Sequence, residues 1–170
     1  MTIALFIGRF QPFHIGHFNV IKKILEAHDS VIIVIGSTQE KETSINPFSA
    51  DERRKMIELA LKEDKITKYK IVYVSDIHNN KEWVSHLERY VEPYGKFDIV
   101  YTGSELTKKL FKEAGYKVHW INERINGVSA SEIRLRIAKK MVWEHMVPAS
   151  VSKYIRSINS DERIRRLSEE

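Results

Sequence analysis

The chain has 170 residues and carries 28 basic against 23 acidic side chains, for a net charge of +5. That length suits one domain able to bury its own core. It has no cysteine, which excludes disulfides, thiol nucleophiles and cysteine–zinc sites. The two charge signs are interleaved and the longest aliphatic run covers only residues 31–35, so neither a nucleic-acid arm nor a membrane span is expected. The first residues lack a basic leader and a small-residue cleavage site, so a cytoplasmic protein without a signal peptide is expected.

In chain order, residues 3–7 form a short apolar run ending at Gly8, the pattern of a buried strand. Phe18, Ile21, Ile24 and Leu25 then fall at helical spacing over residues 14–27. Residues 31–35 read as a second strand ending at Gly36. Ser49 and Glu52 form a capping box that opens a helix burying Met56, Ile57, Leu59, Ala60 and Leu61. A third strand follows at 70–74, with a helix marked by Trp83, Leu87, Tyr90 and Val91. A fourth strand at 98–102 ends at Gly103 and leads to a helix through Leu106, Leu110 and Phe111. Residues 117–121 give a fifth strand. Beyond Gly127 only helices are expected: one opened by a second capping box, Ser129 with Glu132, one over residues 148–158, and then a charged tail.

Alternating strands and helices predict an α/β fold, a doubly wound parallel sheet of about five strands with a helical C-terminal extension. One domain is expected over residues 1–170, its α/β core over 1–125 and its helical part over 126–170. Ligands of such sheets bind beyond the carboxyl ends of the strands. Segments 8–17, 36–48, 75–83 and 103–105 leave from that edge.

The densest of these is Gly8-Arg9-Phe10-Gln11-Pro12-Phe13-His14-Ile15-Gly16-His17. It joins a strand to a helix start, where free amides and the helix dipole favour a phosphate. His14 and His17 are three apart and share one side of the first turn. Gly16 lets a ligand approach the backbone, and Arg9 adds a permanent charge. The set suits an anion whose charge grows during reaction, although two solvated histidines would give the same letters. The second segment, Asn126-Gly127-Val128-Ser129-Ala130-Ser131-Glu132-Ile133-Arg134-Leu135-Arg136, puts Ser131 and Arg134 on one face at another helix start. By itself it also reads as a plain serine cap. No G-x-x-x-x-G-K-[ST] or G-x-G-x-x-G cradle is present.

These two segments resemble the paired signatures of the HxGH nucleotidyltransferases, a Rossmann-like superfamily. His14-Ile15-Gly16-His17 also spells a class I aminoacyl-tRNA synthetase motif, but those enzymes are several times longer and carry a lysine loop missing here. The ten residues from Gly8 to His17 are similar to the G-R-F-Q-P-F-H-x-G-H hallmark of archaeal nicotinamide-nucleotide adenylyltransferases. Asn46-Pro47-Phe48-Ser49-Ala50-Asp51-Glu52-Arg53 resembles the N-P-F-T-A-G-E-R stretch of that family. The chain departs from the pattern at Ser131 for threonine, Asp51 for glycine and Ser104 for asparagine.

The resemblance implies transfer of the adenylyl group of ATP to nicotinamide mononucleotide (NMN), giving NAD and pyrophosphate. It implies His14, His17 and Arg134 as catalytic residues. Gly8, Arg9, Phe10, Gly16, Gly103, Ser129 and Ser131 would bind ATP and its phosphates. Asp76, Asn80 and Trp83 have the spacing of the acid, amide and tryptophan that hold the nicotinamide. Trp83 alone also reads as a core residue of an amphipathic helix. No protein metal site is expected, Mg²⁺ entering through ATP oxygens, and a homo-oligomer, a hexamer by resemblance, is implied. Transfer to another phosphorylated vitamin such as FMN, and a non-catalytic nucleotide sensor, are the alternatives. His28, His86, His119 and His145 are read as structural or exposed, and the basic stretch Arg163, Arg165 and Arg166 as a solvated helix face.

Overall fold

The structure is a computed structural model that describes residues 1–121 and 127–170. Asn126, at the head of the second signature, and the expected boundary between 125 and 126 lie outside the described residues. The chain divides into two compact units. One comprises residues 1–9, 21–38 and 68–123, the other residues 10–20, 39–67 and 124–170.

The first unit is built on a parallel five-stranded sheet of order β3-β2-β1-β4-β5. Its strands are β1 (Ile3–Gly8), β2 (Ser30–Ile35), β3 (Tyr69–Tyr73), β4 (Ile99–Thr102) and β5 (Lys117–Trp120). All five expected strands are present, with ends shifted by one residue at most. The chain moves outward from β1 to β2 and β3, then returns to β4 on the other side of β1. Right-handed crossovers in that order wind the sheet in both directions, the Rossmann-like pattern, with its switch point between β1 and β4.

Strand alternation sends Leu5, Ile7, Ile32, Val34, Val72 and Val100 into one core with Leu87 and Val91 of α3 (Asn80–Val91) and Phe111 of α4 (Glu105–Glu113). Tyr90 and Leu106 are 47% and 51% exposed, so neither joins the buried face that helical spacing gave it. Each stands one position off the buried stripe of its helix, Tyr90 beside Val91 and Leu106 beside Thr107, which lies one turn before Phe111. Gly103 lies close to the end of the neighbouring strand: a Cβ there would stand 3.4 Å from the Ile121 carbonyl.

The second unit holds α2 (Ala50–Glu63), α5 (Ala130–Ala138), α6 (Ala149–Ser157) and α7 (Ser160–Ser168). α1 (Ile15–Ala27) starts among the residues of this unit and ends among those of the first. At α2 the capping box is complete: Ser49 accepts from the Glu52 amide and Glu52 from the Ser49 amide. At α5, Ser129 caps the Glu132 amide, but the Glu132 carboxylate accepts from Arg136 one turn on, so only half the expected box forms.

The charged tail is a correction. Residues 160–168 form a helix that buries Ile164 and Leu167, packed against α5 and α6. Its Arg163 reaches Glu52 at 2.8 Å and the Pro47 carbonyl at 3.1 Å, and its Arg165 donates to the Ile137 carbonyl. Two of its three arginines thus brace the second unit, and only Arg166 remains an exposed residue.

Candidate active site

The second unit carries the histidine pair. Their rings stack with centroids 3.6 Å apart. His14 Nδ1 accepts from the amides of Gly16 at 3.0 Å and His17 at 3.4 Å, and His17 Nδ1 accepts from the His14 amide at 3.2 Å. The first-turn amides expected to be free for a phosphate are thus engaged by His14. With both Nδ1 atoms accepting, each neutral ring carries its proton on Nε2. Burial brings the His14 pKa down from 6.5 to about 4. Burial, and after it the neighbouring His14, hold His17 well below the same value. The pair therefore offers neutral N–H donors rather than cations.

Aromatic rings fix this pair. Phe10 meets the His17 ring edge-on at 4.8 Å and Phe13 stacks on it at 5.6 Å. Phe10 is 2% exposed and has φ +56°, a left-handed conformation unusual for a bulky residue. Such local strain persists where packing over-determines the backbone, and it clusters at functional loops.

Arg134 joins the two signatures. Its Nη1 donates to the Gln11 carbonyl at 2.8 Å and its Nη2 to Ser131 Oγ at 3.3 Å. The guanidinium, 123 residues downstream, thereby reaches the loop that carries the histidines. Arg136 points elsewhere, to Glu132 and the Val142 carbonyl. Beside Ser131 and Arg134 opens a cavity of about 230 Å³, also lined by Ser44, Leu135 and Ile164.

The first unit carries the other expected residues. Gly8 ends β1, Arg9 is exposed, and Gly103 follows β4. Asp76 lies past the end of β3 and accepts from Ser37 Oγ at 2.6 Å. Asn80 and Trp83 stand three apart in the first turn of α3, Asn80 exposed and Trp83 half-buried. Trp83 meets Phe111 edge-on at 5.8 Å and packs at the margin of the core. Trp83 is therefore anchored at the margin of the core and remains partly accessible. Ser104 Oγ accepts from the Thr107 amide and so caps α4.

Four residues of this scaffold have no role in the motif reading, although Gln11 and Arg53 lie within its segments. Gln11 pairs with both backbone groups of Phe48 at 2.9 Å. Arg53 is fully buried and donates to the Ser49 and Glu40 carbonyls. Arg163 was taken for solvated surface, and Ser37 supports Asp76. A signal existed for Arg53, which stands at i, i+4 and i+7 with Ile57 and Ala60 on the buried face of α2.

Comparison with known proteins places this geometry. Residues 5–136 match the cytidylyltransferase-like family. The nicotinamide-nucleotide adenylyltransferase of Thermoplasma volcanium is 42% identical over 167 residues, 97% of this chain and 92% of that protein. A bifunctional NMN adenylyltransferase/ADP ribose pyrophosphatase from Francisella tularensis has the same fold, with a TM-score of 0.81 at 23% identity over 96% of this chain. This chain covers 52% of that protein, about half its length. A second structure of the Francisella protein, complexed with AMP and a manganese ion, gives a TM-score of 0.75 at 22% identity, covering 97% of this chain and 52% of that one. With the identity to the Thermoplasma protein running nearly end to end, the chain belongs to the nicotinamide-nucleotide adenylyltransferase family.

Proposed function

We propose that the chain, working as a single nucleotidyltransferase domain, transfers the adenylyl group of ATP to NMN, forming NAD and releasing pyrophosphate. The observation that carries this reading is the bond from Arg134 to the Gln11 carbonyl. It brings a permanent cation to the loop of two neutral imidazole donors, a set suited to polyphosphate.

An oxygen of the NMN phosphate attacks the α-phosphorus of ATP as the bond to the β-phosphate oxygen breaks in line. The pyrophosphate carries away that electron pair, and no bond to the protein forms. Such transfer asks chiefly for positioning and charge stabilisation. The Nε2–H groups of His14 and His17 donate to phosphate oxygens, His17 to those of the α-phosphate as their charge grows. Arg134 holds the departing pyrophosphate, since a guanidinium pairs with phosphate in two-pronged fashion. Arg9, Ser129 and Ser131 add donors, while Gly8, Phe10, Gly16 and Gly103 shape the backbone about ATP. Trp83 stacks on the pyridinium, Asp76 opposes its charge and Asn80 pairs with the carboxamide.

Mg²⁺ enters with ATP as the substrate complex. Among the described residues, no three or more histidine, aspartate or glutamate side chains converge as a metal site. The manganese ion found with AMP in the Francisella structure supports divalent-metal use in this fold. No helix among the described residues is long and apolar enough to cross a membrane; the enzyme would act in the cytoplasm, as a homo-oligomer, the hexamer that the family resemblance implies.

The test is incubation with ATP, Mg²⁺ and a panel of phosphorylated acceptors, the products identified by mass. NAD formed from NMN in preference to other products is expected. Preferential adenylylation of FMN, or nucleotide binding without pyrophosphate release, would overturn the reading.

A further inference from the structure

Gln11 makes three hydrogen bonds to distant parts of its unit, and it does so from a site only 2% exposed. Its Oε1 accepts from the Phe48 amide and its Nε2 donates to the Phe48 carbonyl, both at 2.9 Å. Its own carbonyl accepts from Arg134 at 2.8 Å. The side chain thus grips both backbone groups of one residue while the backbone holds a guanidinium.

The Phe48 backbone is a firm anchor. Phe48 is fully buried. The next residue, Ser49, is locked in the capping box of α2, and the preceding carbonyl, of Pro47, accepts from Arg163. Arg163 in turn pairs with the Glu52 of that box. On the other side, Arg134 has a second acceptor, Ser131 Oγ, on its own helix. A planar guanidinium held by acceptors on two elements has both its place and its plane defined.

We propose that Gln11 is a positioning residue for adenylyl transfer, its carboxamide clasping the Phe48 backbone so that its own carbonyl holds Arg134 in place against the phosphates. This rests on the function proposed above. The chemistry requires an amide. Gripping the N–H and C=O of one residue takes one acceptor and one donor at fixed spacing, which a carboxamide supplies. A carboxylate has acceptors only and would set one oxygen against the Phe48 carbonyl. A protonated carboxyl again has one of each.

The test uses the wild type, Gln11→Glu, Gln11→Met, Arg134→Ala and the two double variants, with melting curves recorded beside kinetics. At pH 8, Gln11→Glu is expected to lower kcat by about 10- to 100-fold, the scale for a misplaced catalytic group, with KM for NMN within about twofold of wild type. As pH falls toward 5.5, protonation of the buried acid restores the donor, and its kcat relative to wild type rises. Gln11→Met, which keeps the bulk but grips nothing, shows the same loss without recovery. In the Arg134→Ala background either Gln11 change adds less than about threefold, because groups acting as a unit are non-additive. Losses that multiply, or a Gln11→Glu ratio that stays flat with pH, overturn the clasp.

Calorimetric binding of magnesium pyrophosphate to the same proteins reads Arg134 without turnover. Equal affinity of wild type and Gln11→Met overturns the clasp. A wild type that binds pyrophosphate but makes no NAD overturns the proposed function instead.

Discussion

His14 and His17 cap one another: the Nδ1 of each accepts the backbone N–H of the other. This is the logic of a capping box, with imidazoles in the places usually taken by serine and glutamate. The arrangement joins stability to chemistry. An imidazolium has no lone pair, so protonating either ring breaks the cap as well as altering the donor set.

Acid should therefore destabilise the protein earlier than its carboxylates require. A histidine with a folded pKa of about 4 instead of 6.5 binds fewer protons folded than unfolded between those values. Its contribution is complete above pH 6.5 and is lost as pH falls toward 4, by about 3 kcal/mol for His14 alone. Denaturant midpoints measured from pH 8 to pH 4 should show this loss, and His14→Asn, which keeps an acceptor for the helix amides, should show it reduced by about that amount. An unchanged pH slope in the variant would remove the neutral-histidine assignment.

His17→Ala should lower kcat by about 10²-fold or more, the usual scale for one preorganised donor to developing charge. ATP affinity should fall less than turnover does. Steady-state kinetics with a calorimetric ATP titration would separate the two, and near wild-type kcat would refute the role.

Arg134 and Arg136 should separate cleanly. Arg134→Ala removes the link between the signatures and should depress kcat at saturating NMN. Arg136 is engaged with Glu132 and the Val142 carbonyl, so Arg136→Ala should lower Tm by a few degrees and leave kcat within about twofold, for a loss of about 1 kcal/mol. The assignment fails if Arg136→Ala is the more damaging to turnover.

Trp83→Ala should raise KM for NMN about tenfold, since stacking on a cation contributes about 1–2 kcal/mol. KM for ATP should stay nearly constant, and Trp83→Phe should keep most of the affinity. Because Trp83 also packs on Phe111, a fall in Tm will accompany the alanine change. A fall in Tm with unchanged acceptor KM in the folded fraction would assign Trp83 to the core alone.

Most of the fold is written locally. The run over residues 31–35 is short, rich in β-branched side chains and closed by Gly36, which marks it as a strand buried on both faces, and such parallel strands call for helical crossovers. The Ser49–Glu52 box was legible for the same reason, since a cap lies within four residues of its partner. The pair His14 and His17 was visible because three residues on a helix share a face, and family likeness supplied the expected role of Arg134.

What only tertiary structure decided are bonds whose partners are far apart in sequence or have rivals. Glu132 could have completed a box, yet Arg136 lies one turn away and takes its carboxylate. The amides at Gly16 and His17 read as free until the ring of His14 turned back on them. Arg163 carries no periodic signal for Glu52, 111 residues earlier, and Gln11 none for Phe48 or Arg134. Apolar periodicity reports which face of an element avoids water. It says nothing of which buried polar group will answer another, because that choice is made only once packing has excluded water and limited the acceptors within reach of each donor.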